Sequence, residues 1–162
     1  MNTSTSDSVM ARITDAVTEF RSGSADSARA ELVALWSEIG PAGDPLHRCA
    51  LAHYLADMYD HPAEALTWDI RALDAADTLT DHRLTEYHAG LQVAGFYPSL
   101  HLNLADNFRR LGAFPAADHH LDAARARIDT LADDDYGTMI RRALGEVTTA
   151  VAAGDTTPRR TP

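Results

Sequence analysis

Histidines and carboxylates at helical spacing are the residues of this sequence that could do chemistry. His53, Asp57 and His61 follow one another at intervals of four residues, which places them along one face of a helix, where such groups can hold a metal ion. Pro62 comes directly afterwards, at a point where the helix should already be unwinding, and the chain contains neither an HExxH nor an ExxH pair. We therefore predict surface side chains here and no metal site.

A second set of residues with the chemistry of metal ligands consists of His82, Glu86 and His88. Eight histidines in a chain of 162 residues produce such spacings by chance. His82 and Glu86 are explained more simply as a pair of side chains one helical turn apart. The sequence thus predicts neither a bound metal nor another cofactor.

Two tyrosines and two histidines between positions 87 and 101 indicate a polar pocket. His101 lies near the apolar face of a predicted helix, and Tyr87, His88 and Tyr97 are close to it in the chain. A small all-α enzyme, or a protein that binds a small molecule or a metal, could use these four side chains. The alternative is a histidine at the edge of the core that is bonded to a tyrosine or to a backbone carbonyl.

Residue types on which many enzymes depend are missing. All fourteen basic residues are arginines, which excludes a Schiff-base lysine and a P-loop lysine. Cys49 is the single cysteine, so neither an internal disulfide nor a cysteine-based zinc site can form, and we expect this thiol to be buried. The chain also contains no GxSxG motif and no glycine-rich phosphate loop. These absences favour a protein without enzymatic activity.

The charge of the chain limits its partners. The net charge is −10, and residues 1–99 hold six arginines against fifteen acids. Such an acidic surface repels phosphate backbones, so we expect no nucleic-acid partner, whereas a basic peptide or protein surface is easier to accommodate. No apolar run approaches the ~20 residues of a membrane span, and the first residues lack the pattern of a signal peptide. We expect a cytoplasmic protein without a membrane partner.

Apolar residues recur at helical spacing along most of the chain, which predicts a single all-α domain over residues 8–153. Polar, turn-forming composition predicts disordered segments at 1–7 and 154–162. No stretch shows the period-two alternation of a strand. Breaks at glycine, proline and serine divide the chain into predicted helices over about 8–21, 25–39, 46–60, a fourth from Pro62, one kinked helix or two over 83–112, a helix over 115–131 and a last helix to Ala153.

The stretch around Gly112 has the packing pattern of two antiparallel helices. Small residues stand where the helices would nearly touch, large residues fill the gaps beside them, and the glycine permits the turn. These positions are Leu104, Ala105, Phe108, Gly112, Phe114, Ala117, Leu121 and Ala124. The pattern resembles a tetratricopeptide repeat, and weaker copies extend the resemblance over about residues 9–131. Corresponding alanines lie at 28, 65 and 117.

The resemblance implies a short superhelical array of stacked helical hairpins, with an inserted helix near 80–98 and a C-terminal capping helix. It further implies a concave groove that captures a peptide or a partner helix. Carried over by position, the groove residues are Val17, Phe20, His53, Asp57, Asn103, Asp106, Arg109 and Arg110. The aspartates suit a basic or mixed ligand. The apolar ends of a short array suit self-association into a homo-oligomer.

The two adjacent histidines His119 and His120 fall on the second helix of the best-matched hairpin. In the family, second helices form the outer, convex wall. The resemblance therefore implies that both side chains face solvent.

Overall fold

The computed structural model describes residues 3–87 and 93–159, without the side chains of residues 3–7, 85–87 and 93. The described residues contain no strand, which confirms the all-α fold class. The helices are α1 (Thr3–Arg21), α2 (Ala25–Ile39), α3 (Pro45–Ala56), α4 (Pro62–Ala76), α5 (Asp81–Tyr87), α6 (Tyr97–Arg110), α7 (Phe114–Arg125) and α8 (Asp135–Ala152). Short 3-10 turns precede α6 and follow α7. Within the described ranges, no helix has the length and apolar character needed to cross a membrane.

Two helix ends differ from the predicted positions. Helix α3 ends at Ala56 rather than near residue 60, because His61 begins the next helix: its Nδ1 accepts a hydrogen bond from the backbone N–H of Ala63, at 3.2 Å. Helix α1 begins at Thr3, so residues 3–7, for which composition predicted disorder, continue the helix. Extending an existing helix costs little compared with starting one.

Successive helices pack against one another as hairpins. Helix α1 packs on α2, α3 on α4, and α6 on α7, while α4 also packs on α6 and α8 packs on both α6 and α7. The chain between positions 83 and 112 contains two helices, α5 and α6, rather than one kinked helix. Residues 88–92, within the predicted inserted helix, lie outside the described residues. Helix α6 is thus the element that joins the two ends of the array.

The α6–α7 hairpin has the close helix contact and the glycine turn that its sequence pattern predicts. Ala105 and Ala117 have no exposed surface, so the two helices approach closely where their side chains are smallest. Gly112 turns the chain with a φ of 75°, a conformation that side chains with a Cβ disfavour. The backbone N–H of Ala113 donates to the carbonyl of Phe108 at 2.8 Å and closes the end of α6.

Two apolar cores meet on α6. Its Leu100 belongs to the core that α1 to α4 build, whereas its Leu102 and Ala105 belong to the core that α7 and α8 build. A helix that buries two faces leaves a narrow stripe for polar residues. The polar side chains of α6 are therefore held close to the line along which the cores join.

The chain stays in contact with the helices after α8 ends. The carbonyl oxygen of Asp155 accepts a hydrogen bond from Nη1 of Arg109, at 2.6 Å, and Nη1 of Arg159 lies 3.2 Å from Oε2 of Glu146. Residues 154–159, for which composition predicted disorder, thus lie against α6 and α8. One buried charge, Arg109, and one surface charge, Glu146, thus hold this polar segment on the domain.

Candidate functional site

A group of polar side chains crosses the junction between the two cores. We call it the polar seam, and it consists of His53, Asp57, Asp69, Asn103, Asp106 and Asn107. The first two lie at the end of α3, the third on α4 and the others on α6, where Asn103 is three residues before Asp106 and four before Asn107. Asp69 and Asn107 are buried, His53, Asn103 and Asp106 are half-buried, and Asp57 is exposed. The seam therefore has a buried base and an accessible rim.

Asp69 is the buried carboxylate at the base of the seam, with 2% of its surface exposed. Nδ2 of Asn107 donates to its Oδ2 at 2.7 Å, but Oδ1 has no hydrogen-bond partner among the described residues. Burial raises the pKa of Asp69 well above its usual value, and the charges of Asp57 and Asp106 raise it further, against the opposing effect of the Asn103 and Asn107 amides. Burial and the two neighbouring carboxylates thus favour the protonated form of Asp69.

His53 and Asp57 form the α3 side of the seam. Burial lowers the pKa of His53, and the nearby charge of Asp57 opposes that shift. Nδ1 of His53 is buried without a hydrogen-bond partner in the described part of the chain. Asp57 keeps an exposed surface, yet surrounding protein atoms raise its pKa, with His53 and Arg21 opposing.

Asp106 binds one cation inside the protein and presents a second oxygen to the surface. Nε and Nη2 of Arg109 donate to Oδ1 of Asp106, at 3.0 and 2.8 Å. The Arg109 side chain is completely buried, so Asp106 and the carbonyl of Asp155 are its means of compensating the loss of water. Oδ2 of Asp106 is left to face other groups.

Four of the predicted groove residues pack or form hydrogen bonds within the fold. Val17 is buried in the first core and the half-buried Phe20 packs against that core, because α1 lies against α3. Nη2 of Arg110 donates to the carbonyl of Asp60 at 2.7 Å and ties α6 to the α3–α4 turn. Arg109 is buried, as described above. The predicted groove residues that reach the rim are His53, Asp57, Asn103 and Asp106.

Asp69 and Asn107 were not predicted as site residues, although the spacing of the apolar residues around them indicates that both are buried. Asp69 is four residues after Ala65 and three before Ala72, which are buried on the same face of α4. Asn107 lies three residues after the buried Leu104. A polar residue in phase with an apolar stripe must find a partner inside, so each one predicts a buried polar contact.

The residues predicted to line a polar pocket take part in an aromatic stack. The rings of Tyr97 and His101 are 6.1 Å apart, those of His101 and His120 are 5.3 Å apart, and those of His120 and Phe108 are 5.5 Å apart. Nδ1 of His101 and Nδ1 of His120 are 3.1 Å apart, so one must carry a proton and the other must accept it. His88 lies outside the described residues, as does the side chain of Tyr87. Tyr97 and His101 are thus engaged with protein groups.

His120 therefore differs from the solvent-facing position that the resemblance implied. It is half-buried between His101 and Phe108, whereas its neighbour His119 is exposed. Adjacent residues on a helix point about 100° apart, so only one of the two can face the hairpin partner.

The pKa of His101 is lowered to about 4, chiefly by burial. The neighbouring His120, Arg127 and His119 also lower this pKa, and Asp77 opposes them. Burial and a hydrogen bond to Asp77 raise the pKa of Tyr97 to about 12. Burial likewise raises the pKa of Cys49 to about 12. None of these three groups is poised to exchange a proton near neutral pH.

The protein should lose stability as the pH falls from 6.5 to about 4, in part through His101. Its native pKa lies below the unfolded value of 6.5, so its contribution is complete above pH 6.5 and disappears as the pH falls through the native pKa. The full loss from this residue amounts to about 3 kcal/mol. Denaturant unfolding of His101→Phe, which keeps a stacking ring, should show a weaker pH dependence, whereas exposed His119→Asn should behave as wild type. Equal pH profiles for wild type and His101→Phe would contradict this assignment.

The described part of the chain brings no three histidine, cysteine or acidic side chains together as a metal site. His53 and Asp57 remain close, but His61 caps α4 beyond the end of α3. Comparisons with protein-family models, curated proteins and solved structures gave no match to this chain.

Proposed function

We propose that the protein is an interaction module that captures a peptide or a partner helix along the polar seam, and that the ligand is basic. The observation that carries the proposal is the pair of carboxyls at the rim of the seam, Asp57 and Asp106, which are both close enough to Asp69 for their charges to raise its pKa. Negative potential of this kind attracts a positively charged partner.

The cations nearest to the seam are already used. Arg109 is buried against Asp106, and Arg110 donates to the α3–α4 turn. Arg21 acts on Asp57 but does not prevent the rise of its pKa. A basic ligand side chain at the rim would supply the charge that the seam lacks.

The rim also offers hydrogen-bonding groups for a ligand backbone. Asn103 is half-buried on the same face of α6 as Asp106, and an amide side chain can both donate and accept. Because Val17 and Phe20 pack into the first core, polar contacts rather than apolar anchors select the ligand. This arrangement favours an extended peptide, whose backbone presents donors and acceptors at regular intervals.

Selection from a random-peptide phage library should enrich arginine- or lysine-rich sequences on the wild-type protein. Asp57→Asn should weaken the selected peptides by about tenfold, because a charge-assisted contact is lost at an accessible site with a lowered local dielectric. Fluorescence anisotropy with a labelled selected peptide measures the change.

Asp122→Asn is the matched control, since it removes the same charge from an exposed position on α7. It should leave peptide affinity unchanged. Failure to enrich any sequence, or equal weakening by Asp57→Asn and Asp122→Asn, would overturn the proposal.

A further inference from the structure

We infer that Oδ2 of Asp106 and Oε2 of Glu146 form a subsite for an arginine side chain of the peptide ligand. In the absence of that ligand, Arg159 of the tail (residues 154–159) occupies it. The other oxygen of Glu146, Oε1, accepts a hydrogen bond from Nε of Arg142 at 3.0 Å. The inference rests on the proposed function and adds to it the kind of side chain recognised and a competitor within the molecule.

The contacts of Arg159 define the subsite. Its Nε lies 3.8 Å from Oδ2 of Asp106, and its Nη1 lies 3.2 Å from Oε2 of Glu146. Because Arg109 binds the other oxygen of Asp106, the two arginines share one carboxylate from opposite sides. Arg109 is buried, whereas Arg159 binds Asp106 from the surface.

The conformation of the tail places Arg159 against the domain. Gly154, with a φ of 63°, turns the chain out of α8. The backbone N–H and the hydroxyl of Thr157 both donate to Oδ1 of Asp155, at 2.8 and 2.7 Å. Pro158 fixes its own φ, and the side chain of Arg159, the next residue, reaches Glu146. The tail thus contacts the domain through a backbone carbonyl on Arg109 and an arginine side chain on two acids.

The arginine contact can be exchanged without disturbing the buried one. The side chains of Arg159 and Glu146 are 35% and 44% exposed, and ion pairs of this exposure are individually weak. Asp155, which compensates Arg109, lies four residues earlier and can stay in place. An open depression of about 670 Å³ adjoins the contact and is lined in part by Gly145, Glu146 and Asp155, so a second chain has room beside the tail.

A tethered arginine competes strongly with a free one. A short tether gives an effective concentration on the order of millimolar, so a free peptide binds the wild-type subsite only against that competition. Weakening the tail should therefore strengthen the binding of an added peptide. Tighter peptide binding after the loss of Arg159 would show that Arg159 fills the subsite of its own molecule, which we call occupation in cis.

The probe is the acetylated peptide GDTTPRRTP, which repeats residues 154–162, titrated into the isotope-labelled full chain and followed through the amide resonance of Gly145. Arg159→Ala should bind the peptide about fivefold more tightly than wild type, because two exposed ion pairs of the competitor are lost. Adding Glu146→Gln to that variant should reverse the gain. Arg29→Ala, which breaks a surface ion pair on α2, is the control and should bind as wild type does.

A control peptide with alanine at both arginine positions should not shift the Gly145 resonance in any variant. Equal affinity of wild type and Arg159→Ala for the probe overturns occupation in cis, and no binding to Arg159→Ala overturns the arginine subsite. Sedimentation that shows a wild-type dimer and an Arg159→Ala monomer would mean that tails are exchanged between two copies, which also overturns occupation in cis. In each case, peptides selected from the library in an Asp57-dependent manner would still support the proposed function.

Discussion

Arg109→Ala should destabilise the protein by about 3 kcal/mol, the lower end of the range for breaking a buried ion pair. The guanidinium is completely buried and bonds Asp106 and the carbonyl of Asp155, so its removal leaves both acceptors without their donor. Asp106 keeps 19% of its side chain exposed, and hydration of that carboxylate limits the loss. Urea unfolding of the full chain near neutral pH measures the change in free energy.

Arg125→Ala provides the matched comparison. Arg125 and Asp122 form an ion pair with the same spacing of three residues and the same 2.8 Å distance, but both side chains are largely exposed. Its loss should cost less than about 0.5 kcal/mol. Similar losses for the two variants would mean that burial does not set the energy of the Arg109 contact.

Asp69→Asn should make the protein more stable than wild type at alkaline pH, by about 1–3 kcal/mol. The native pKa of Asp69 is raised above its unfolded value, so its favourable contribution is present below that unfolded value and is lost as the pH rises through the native pKa. Asparagine has the shape of the neutral acid and keeps an oxygen for Asn107. The two proteins should therefore be equally stable near pH 4 and diverge as the pH rises.

Asp74→Asn, on the exposed side of the same helix, separates this effect from a general change of net charge. It should follow the wild-type pH profile of thermal unfolding. A destabilised Asp69→Asn at high pH would show that the ionised carboxylate stabilises the native state and that its desolvation is compensated.

Helical periodicity and the placement of small residues were sufficient to predict most of the fold. Ala28, Ala65 and Ala117, chosen as the closest points between helices, are all buried. Asp134 caps the last helix, since it accepts a hydrogen bond from the N–H of Gly137 at 2.7 Å. Both features depend on residues close in the chain or on one helix face, which a sequence displays directly.

The candidate site was predicted less completely, because its contacts join distant parts of the chain. Of the residues predicted to line a groove, His53, Asn103 and Asp106 are half-buried and Asp57 is exposed, whereas Val17 is buried. Its position on α1 is compatible with either face until the packing of α1 against α3 is known. The hydrogen bond between Asp69 and Asn107 spans 38 residues, and nothing local to either residue identifies the other.

The sequence by itself determined that this protein is all-α, where its principal helices lie and which alanines and leucines hold them together. These properties follow from local propensity and from the 3.6-residue period of a helix. Only the tertiary structure decided which charged groups are buried, which oxygen of Asp106 faces the surface, and where the tail's arginine rests. Electrostatic properties depend on the distance between groups and on their access to water, and the fold sets both.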